Sequence, residues 1–221
     1  MKPAEYPHVK ICCISSLDEA KLAIKYGASA IGLVGKMPSG PGVISDKLIA
    51  EIVANVPNET DTFLLTSETT SEEIIQHYRK VNTTTIQIVD RVDITIYRTL
   101  RNELSGIKLV QVIHVMDDDS VTEAVMYSEY TDALLMDSGN PGLAVKQLGG
   151  TGRTHNWELS IAIRESVDIP VYLAGGINPA NVKEAFNSVK PYGIDLCSGV
   201  RTAGKLDETK LREFFEEVRA I

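Results

Sequence analysis

The sequence predicts an α/β protein built as a single closed (β/α)8 TIM barrel with eight parallel strands, and three observations carry that expectation. Eight short runs rich in β-branched residues recur at even intervals, at 8–13, 30–34, 62–66, 85–89, 108–115, 133–137, 171–174 and 193–197. Segments of helical spacing separate them, such as Leu17, Ala20 and Ile24, or Ile74, Ile75 and Tyr78, several opened by a Ser, Thr or Asp cap. The chain has 221 residues, of which 43% are hydrophobic, enough for one substantial core and short for two ordinary domains. Strictly alternating strand and helix with right-handed crossovers gives a parallel sheet, and eight such units close into a barrel spanning residues 1–221 as one domain.

Composition narrows the partners. Lys and Arg number 22 against 30 Asp and Glu, a formal charge of -8, which disfavours a nucleic-acid groove or an anionic membrane surface as partner. A local site for a small anion remains compatible with that charge. Residues 1–10 carry no apolar stretch of signal-peptide length, and no later run approaches the roughly 20 apolar residues of a membrane span, so the cytoplasm is the expected location. Of the three cysteines, Cys12 and Cys13 are adjacent and Cys197 is distant in sequence, which is neither a disulfide framework nor a metal knuckle. Free thiols and no metal are expected.

In a barrel the reacting groups sit at the carboxyl ends of the strands. Alternation along the first strand puts Lys10 and Cys12 on one face and Ile11 and Cys13 on the other. With Val9 and Ile11 against the helices, Cys12 turns into the mouth and Cys13 is expected under the helical layer. The sixth strand ends a hydrophobic run on Asp137, which either caps the following turn or serves as a proton donor. Only two strands separate the sixth from the first around the ring, so Asp137 and Cys12 can face each other across one small ligand. The turns Gly175-Gly176 and Ser198-Gly199, after strands seven and eight, lie where barrels hold phosphate on backbone N–H groups. A third glycine-rich piece, Gly149-Gly150-Thr151-Gly152-Arg153, is a candidate to close over the same phosphate or is simply a flexible loop.

Together these pieces resemble phosphoribosylanthranilate isomerase of tryptophan biosynthesis. The resemblance runs through Lys10-Ile11-Cys12, Gly27-Ala28, Leu135-Met136-Asp137, Gly149-Gly150-Thr151-Gly152 with Trp157, Ala174-Gly175-Gly176-Ile177-Asn178-Pro179-Ala180-Asn181-Val182, and Asp195 with Ser198-Gly199-Val200. It implies a cofactor-free Amadori rearrangement of a small phosphorylated sugar substrate, with Cys12 as general base, Asp137 as general acid, and Gly152, Gly175, Gly176, Ser198 and Gly199 around the phosphate. It leaves monomer and homodimer open. A thiol with an ordinary pKa near 8.5 is mostly protonated at neutral pH, so an electropositive neighbour is expected beside Cys12, and Lys10 is the nearest by parity. A lysine inside a barrel needs a partner, and Asp195 in the eighth strand is the expected one.

Four positions depart from the family pattern. Gly42 stands where the family carries the arginine for the anthranilate carboxylate, Asp90 where it has a glycine after the fourth strand, Cys13 where a glycine follows the catalytic cysteine, and Arg201 where it has a glutamate. Lys36, Arg153 and Arg201 are the candidates to replace the missing cation, and Lys10 is a further candidate substrate contact. The departures also admit a different phosphorylated sugar or aminosugar as substrate, or a barrel that only binds a sugar phosphate.

Overall fold

A computed structural model describes residues 7–221 apart from 141, 144, 147, 150, 151, 153 and 154. Eight parallel strands close on themselves in sequence order: β1 (His8–Ile11), β2 (Ala30–Val34), β3 (Asp61–Thr66), β4 (Thr85–Ile88), β5 (Lys108–His114), β6 (Ala133–Asp137), β7 (Val171–Leu173) and β8 (Gly193–Leu196), with β8 pairing back onto β1. A helix follows each: α1 (Leu17–Tyr26), α2 (Asp46–Ala54), α3 (Ser71–Val81), α4 (Thr95–Glu103), α5 (Asp119–Ser128), α6 (Trp157–Ser166), α7 (Val182–Val189) and α8 (Glu208–Arg219). The expected TIM barrel is therefore the observed one. Side-chain caps fix several helix starts, with Ser16 accepting from the Glu19 N–H, Thr70 from Glu73 and Asp207 from Thr209 and Lys210. Among the described residues no helix is long and apolar enough to cross a membrane.

Alternation along the strands sorts their side chains into two cores. Val9, Ile11, Ile31, Leu33, Leu64, Ile86 and Ile88 pack outward against the helices. Ala30, Phe63, Val110, Val112, Leu135 and Tyr172 fill the lumen. The lumen is packed like any protein interior, and a cavity opens at the end where the strand carboxyl termini lie. Lys10 is fully buried in the lumen, with its ammonium 2.8 Å from Asp195 Oδ1 and 5.2 Å from the centre of the Phe63 ring. The two pair in register on β1 and β8, so the ion pair expected from the sequence is formed.

The sequence reading did not foresee the segment between β8 and α8. A 3-10 turn at Ser198–Val200 leads into a two-stranded hairpin, β9 (Arg201–Thr202) and β10 (Lys205–Leu206), turned by Ala203 and Gly204 at positive φ. Its anchor is electrostatic and comes from α1. Glu19 Oε1 accepts from the Leu206 N–H at 2.9 Å and from Arg201 Nη1 at 3.1 Å.

Candidate active site

Cys12 lies one residue past β1, still tied to β8 by a 2.9 Å bond from its N–H to the Leu196 carbonyl. Its thiol points into the lumen, as alternation requires. β2 places Gly32 alongside: a Cβ on Gly32 would stand 2.7 Å from Cys12 Sγ and 3.1 Å from Lys10 Nζ. Thiol and ammonium are therefore close neighbours across a position that only glycine can fill, and Lys10 is the electropositive neighbour expected for Cys12. Burial alone would depress the Lys10 ammonium, but Asp195 against it and Cys12 nearby outweigh that and raise its pKa above the ordinary lysine value.

Cys13 is a correction. It was expected under the helical layer, but its φ of 61° is left-handed, the strand alternation ends there, and the residue packs with the lumen cluster and lines the mouth. Arg201 holds this turn from behind, donating from Nη2 to the Cys13 carbonyl at 2.6 Å and to the Cys12 carbonyl at 3.3 Å.

Asp137 ends β6 in register with His114 of β5. Its Oδ1 accepts the Ser138 N–H at 2.7 Å, which is the turn-capping role weighed from the sequence. Its Oδ2 lies against the loop after β6: a Cβ on Gly149 would come within 2.5 Å of it, so that glycine lets the loop pass directly over the carboxylate. The turn-capping role of Asp137 is therefore the observed one.

Cys12 and Asp137 line one cavity, which measures about 690 Å3 including the part open to solvent. Gly152, Gly175, Gly176 and Ser198 line it as well. Gly175 and Gly176 adopt φ of 80° and 67°, conformations that deter other residues, and Asn178 and Asn181 lock their turn by donating side-chain N–H groups to the Gly176 carbonyl at 3.0 Å each. Gly199 stands behind the lining, pressed against the Ile177 carbonyl and 2.9 Å from Asn178 Cα at the point where its Cβ would be. Its lack of a side chain lets the two turns interlock. Gly152, at φ 69°, approaches Ser198 Oγ at 3.4 Å from its own Cβ position.

Two of the candidate substrate contacts have other partners. Lys10 is beneath the cavity, neutralised by Asp195. Arg201 is buried behind the Cys12–Cys13 turn with its guanidinium on both Glu19 oxygens at 3.1 Å. Lys36 is exposed and outside the lining, and Arg153 lies outside the described residues. Sequence reasoning missed Glu19, whose place in Ser16-Leu17-Asp18-Glu19 reads as part of a helix cap. It also missed a tie across the mouth, in which Lys146 Nζ donates to Asp90 Oδ2 and the Lys146 carbonyl accepts from Ser39 Oγ. That tie joins the loops after β2, β4 and β6.

The family model for N-(5'-phosphoribosyl)anthranilate isomerase matches residues 9–217. The chain belongs to that family. It is 33% identical to the enzyme of this name from Methanosarcina acetivorans, over 96% of this chain and 92% of the relative. It is 32% identical to the one from Methanocella arvoryzae, over 96% and 97%. Among solved structures, phosphoribosyl anthranilate isomerase from Thermotoga maritima superposes with a TM-score of 0.83 at 26% identity, covering 97% of this chain and all of that one. Against the family pattern, two departures now explain each other. A Cβ on Gly42 would fall 2.5 Å from Cys13 Cβ, so Cys13 fills the space that a side chain at position 42 would need.

Proposed function

We propose that the chain is an isomerase that converts N-(5'-phosphoribosyl)anthranilate to the open-chain 1-deoxyribulose 5-phosphate aminoketose, the step its family performs in tryptophan biosynthesis. One observation carries the assignment of roles: a thiol from the end of β1 and a carboxyl from the end of β6 open into the same cavity as the glycine turns after β7 and β8. The sugar phosphate binds at the paired turns after β7 and β8, where the N–H groups of Gly175, Gly176 and Ser198 line the cavity and Gly199 lets the two turns interlock behind them. Asp137 protonates the furanose ring oxygen and the ring opens to an iminium. Cys12, as thiolate, then removes the C2′ proton to give an enolamine, which becomes the ketone. The Lys10 ammonium beside the sulfur stabilises its negative charge through the step, and Asp195 keeps that ammonium in place.

The test is turnover of N-(5'-phosphoribosyl)anthranilate, followed by loss of its fluorescence. Wild type turns over, and Cys12→Ala and Asp137→Asn each fall at least about a hundredfold in kcat, the scale of a lost general acid or base. A variant that keeps the wild-type rate removes that residue from the mechanism, and an inert wild type removes the substrate.

A second reading, a different phosphorylated aminosugar as substrate, is favoured by one fact. Among the described residues that line the cavity there is no lysine or arginine to meet a carboxylate. Comparing kcat/KM for the anthranilate substrate and its carboxylate-free aniline analogue decides between them. A cationic anchor is worth up to about 3 kcal/mol, a factor of about 100 in favour of anthranilate, and equal values favour the second reading.

A further inference from the structure

The tie across the mouth sets a cation beside the cavity that none of the isomerisation steps above uses. Lys146, in the loop after β6, donates from Nζ to Asp90 Oδ2 at 2.5 Å. Asp90 is fixed at two further points: its Oδ1 accepts the Arg91 N–H at 2.9 Å, and its carbonyl accepts from Gln111 Nε2 at 3.0 Å. Gln111 is buried and is held in turn by the Tyr97 hydroxyl of α4. The two partners differ in exposure, and that difference assigns their roles. The Asp90 side chain is 7% exposed and the Lys146 side chain 45%. A sealed, firmly held carboxylate thus carries an ammonium that is open to its surroundings. An ammonium has three N–H donors, and Asp90 takes one of them.

The tie stands on the rim of the cavity. Val89, the residue before Asp90, lines the cavity, and so does Leu148, two residues beyond Lys146. Ser39, whose hydroxyl donates to the Lys146 carbonyl, lines it too. The loops after β2 and β6, which the tie joins, contribute apolar lining through Met37, Pro41 and Leu148. A ligand anchored by its phosphate at the turns after β7 and β8 has this apolar region, with a cation at its edge, left for its other end.

We propose that Lys146 selects the aglycone: its ammonium, mounted on Asp90, takes the carboxylate of an aromatic amine whose ring packs on Met37, Pro41 and Leu148. This rests on the isomerase reading and names the residue that fixes its substrate. Lys146 stands outside the lining, and its four-carbon stem gives the head group the reach to meet a ligand at the rim. Both Asp90 oxygens already have donors, so an incoming carboxylate meets the open side of the ammonium rather than an unpaired acid. An aglycone with a ring and no acid gains the apolar packing alone. One with an acid adds a hydrogen bond between charged groups, worth about ten- to a hundredfold in affinity.

The probes are the ketone-reduced forms of the aminoketose phosphates carrying anthranilate and aniline, which cannot isomerise, with Kd measured by calorimetry. Wild type is expected to bind the carboxylated ligand about ten- to a hundredfold more tightly. Lys146→Met brings the two Kd values together and leaves that of the aniline ligand unchanged, while Lys146→Arg keeps the preference. Because Lys146→Met also orphans the Asp90 charge, which would itself repel an acid, Lys146→Met with Asp90→Asn is measured beside it and loses the preference as well. A purely structural tie would weaken both ligands alike. That outcome, a preference that survives in the double variant, or a wild type with no preference overturns the assignment. Turnover of N-(5'-phosphoribosyl)anthranilate by the same proteins separates the two readings. A wild type that binds with the expected preference and turns over nothing counts against the isomerase and leaves the carboxylate anchor standing. A wild type that turns over while the double variant keeps its preference removes the anchor alone.

Discussion

Gly32 is the most constrained neighbour of the proposed base. A methyl group there would press on Cys12 Sγ at 2.7 Å and on Lys10 Nζ at 3.1 Å, while the Cys12 backbone is tied to β8 and the ammonium is held by Asp195. Gly32→Ala is therefore expected to cost about 1–3 kcal/mol of stability through overpacking. It should also lower kcat by about a hundredfold, the effect of moving a catalytic group by about 1 Å. Urea denaturation and steady-state kinetics check both. A variant with wild-type kcat would mean that the sulfur tolerates displacement. The same close packing accounts for a pair of family departures at once, since Cys13 and a large residue at position 42 compete for one volume. Nothing in a single sequence pairs positions 13 and 42, because they meet only when the loop after β2 folds across the end of β1.

At the scale of elements, the start of α1 and the β9–β10 hairpin are one electrostatic unit. Glu19 accepts from Arg201, from the Leu206 N–H and from the Ser15 N–H, and Arg201 in turn holds the carbonyls of Cys12 and Cys13. Burial pushes the Glu19 carboxyl up, but the Arg201 guanidinium and the two N–H donors outweigh it and set its pKa below the ordinary 4.5. A carboxylate depressed in the folded state contributes stability that is present above 4.5 and is lost as pH falls through the lower folded value. Glu19→Gln should therefore lower stability at neutral pH and flatten its fall below pH 4.5, measured as the urea midpoint against pH. An unchanged acid limb would show that other carboxylates carry it. The hairpin itself escaped the sequence reading because two-residue strands carry no periodicity. Arg201 read there as a candidate ligand contact because its charge is visible in the sequence and its partner is not.

For the whole molecule, closure of the barrel is what brings Lys10 and Asp195 together, 185 residues apart and 2.8 Å between head groups. Breaking such a pair on one side leaves an uncompensated charge in the lumen and costs about 3–5 kcal/mol, whereas replacing both partners with apolar residues of similar volume is often neutral. Lys10→Met is thus expected to destabilise by that amount, and Lys10→Met with Asp195→Leu to recover most of it, in urea denaturation. A single variant within about 1 kcal/mol of wild type would show that water reaches the lumen and solvates Asp195. Activity should fall in both proteins, because each removes the ammonium beside Cys12.

Much of this protein was decided locally. The period-two and helical patterns, the caps at Ser16 and Thr70, and the glycine turns at 175–176 and 198–199 follow from short-range sterics and hydrogen bonding, which neighbouring residues settle among themselves. Parity alone placed Lys10 and Cys12 in the lumen, and the end of a hydrophobic run marked Asp137. What only the tertiary structure decided are the partners, Arg201 with Glu19 and Lys146 with Asp90, and the inward turn of Cys13 where the strand alternation ends. Those contacts depend on ring closure and on loops crossing between strands, and a charge or a thiol in a sequence says what it can bind without saying what the closed barrel will set against it.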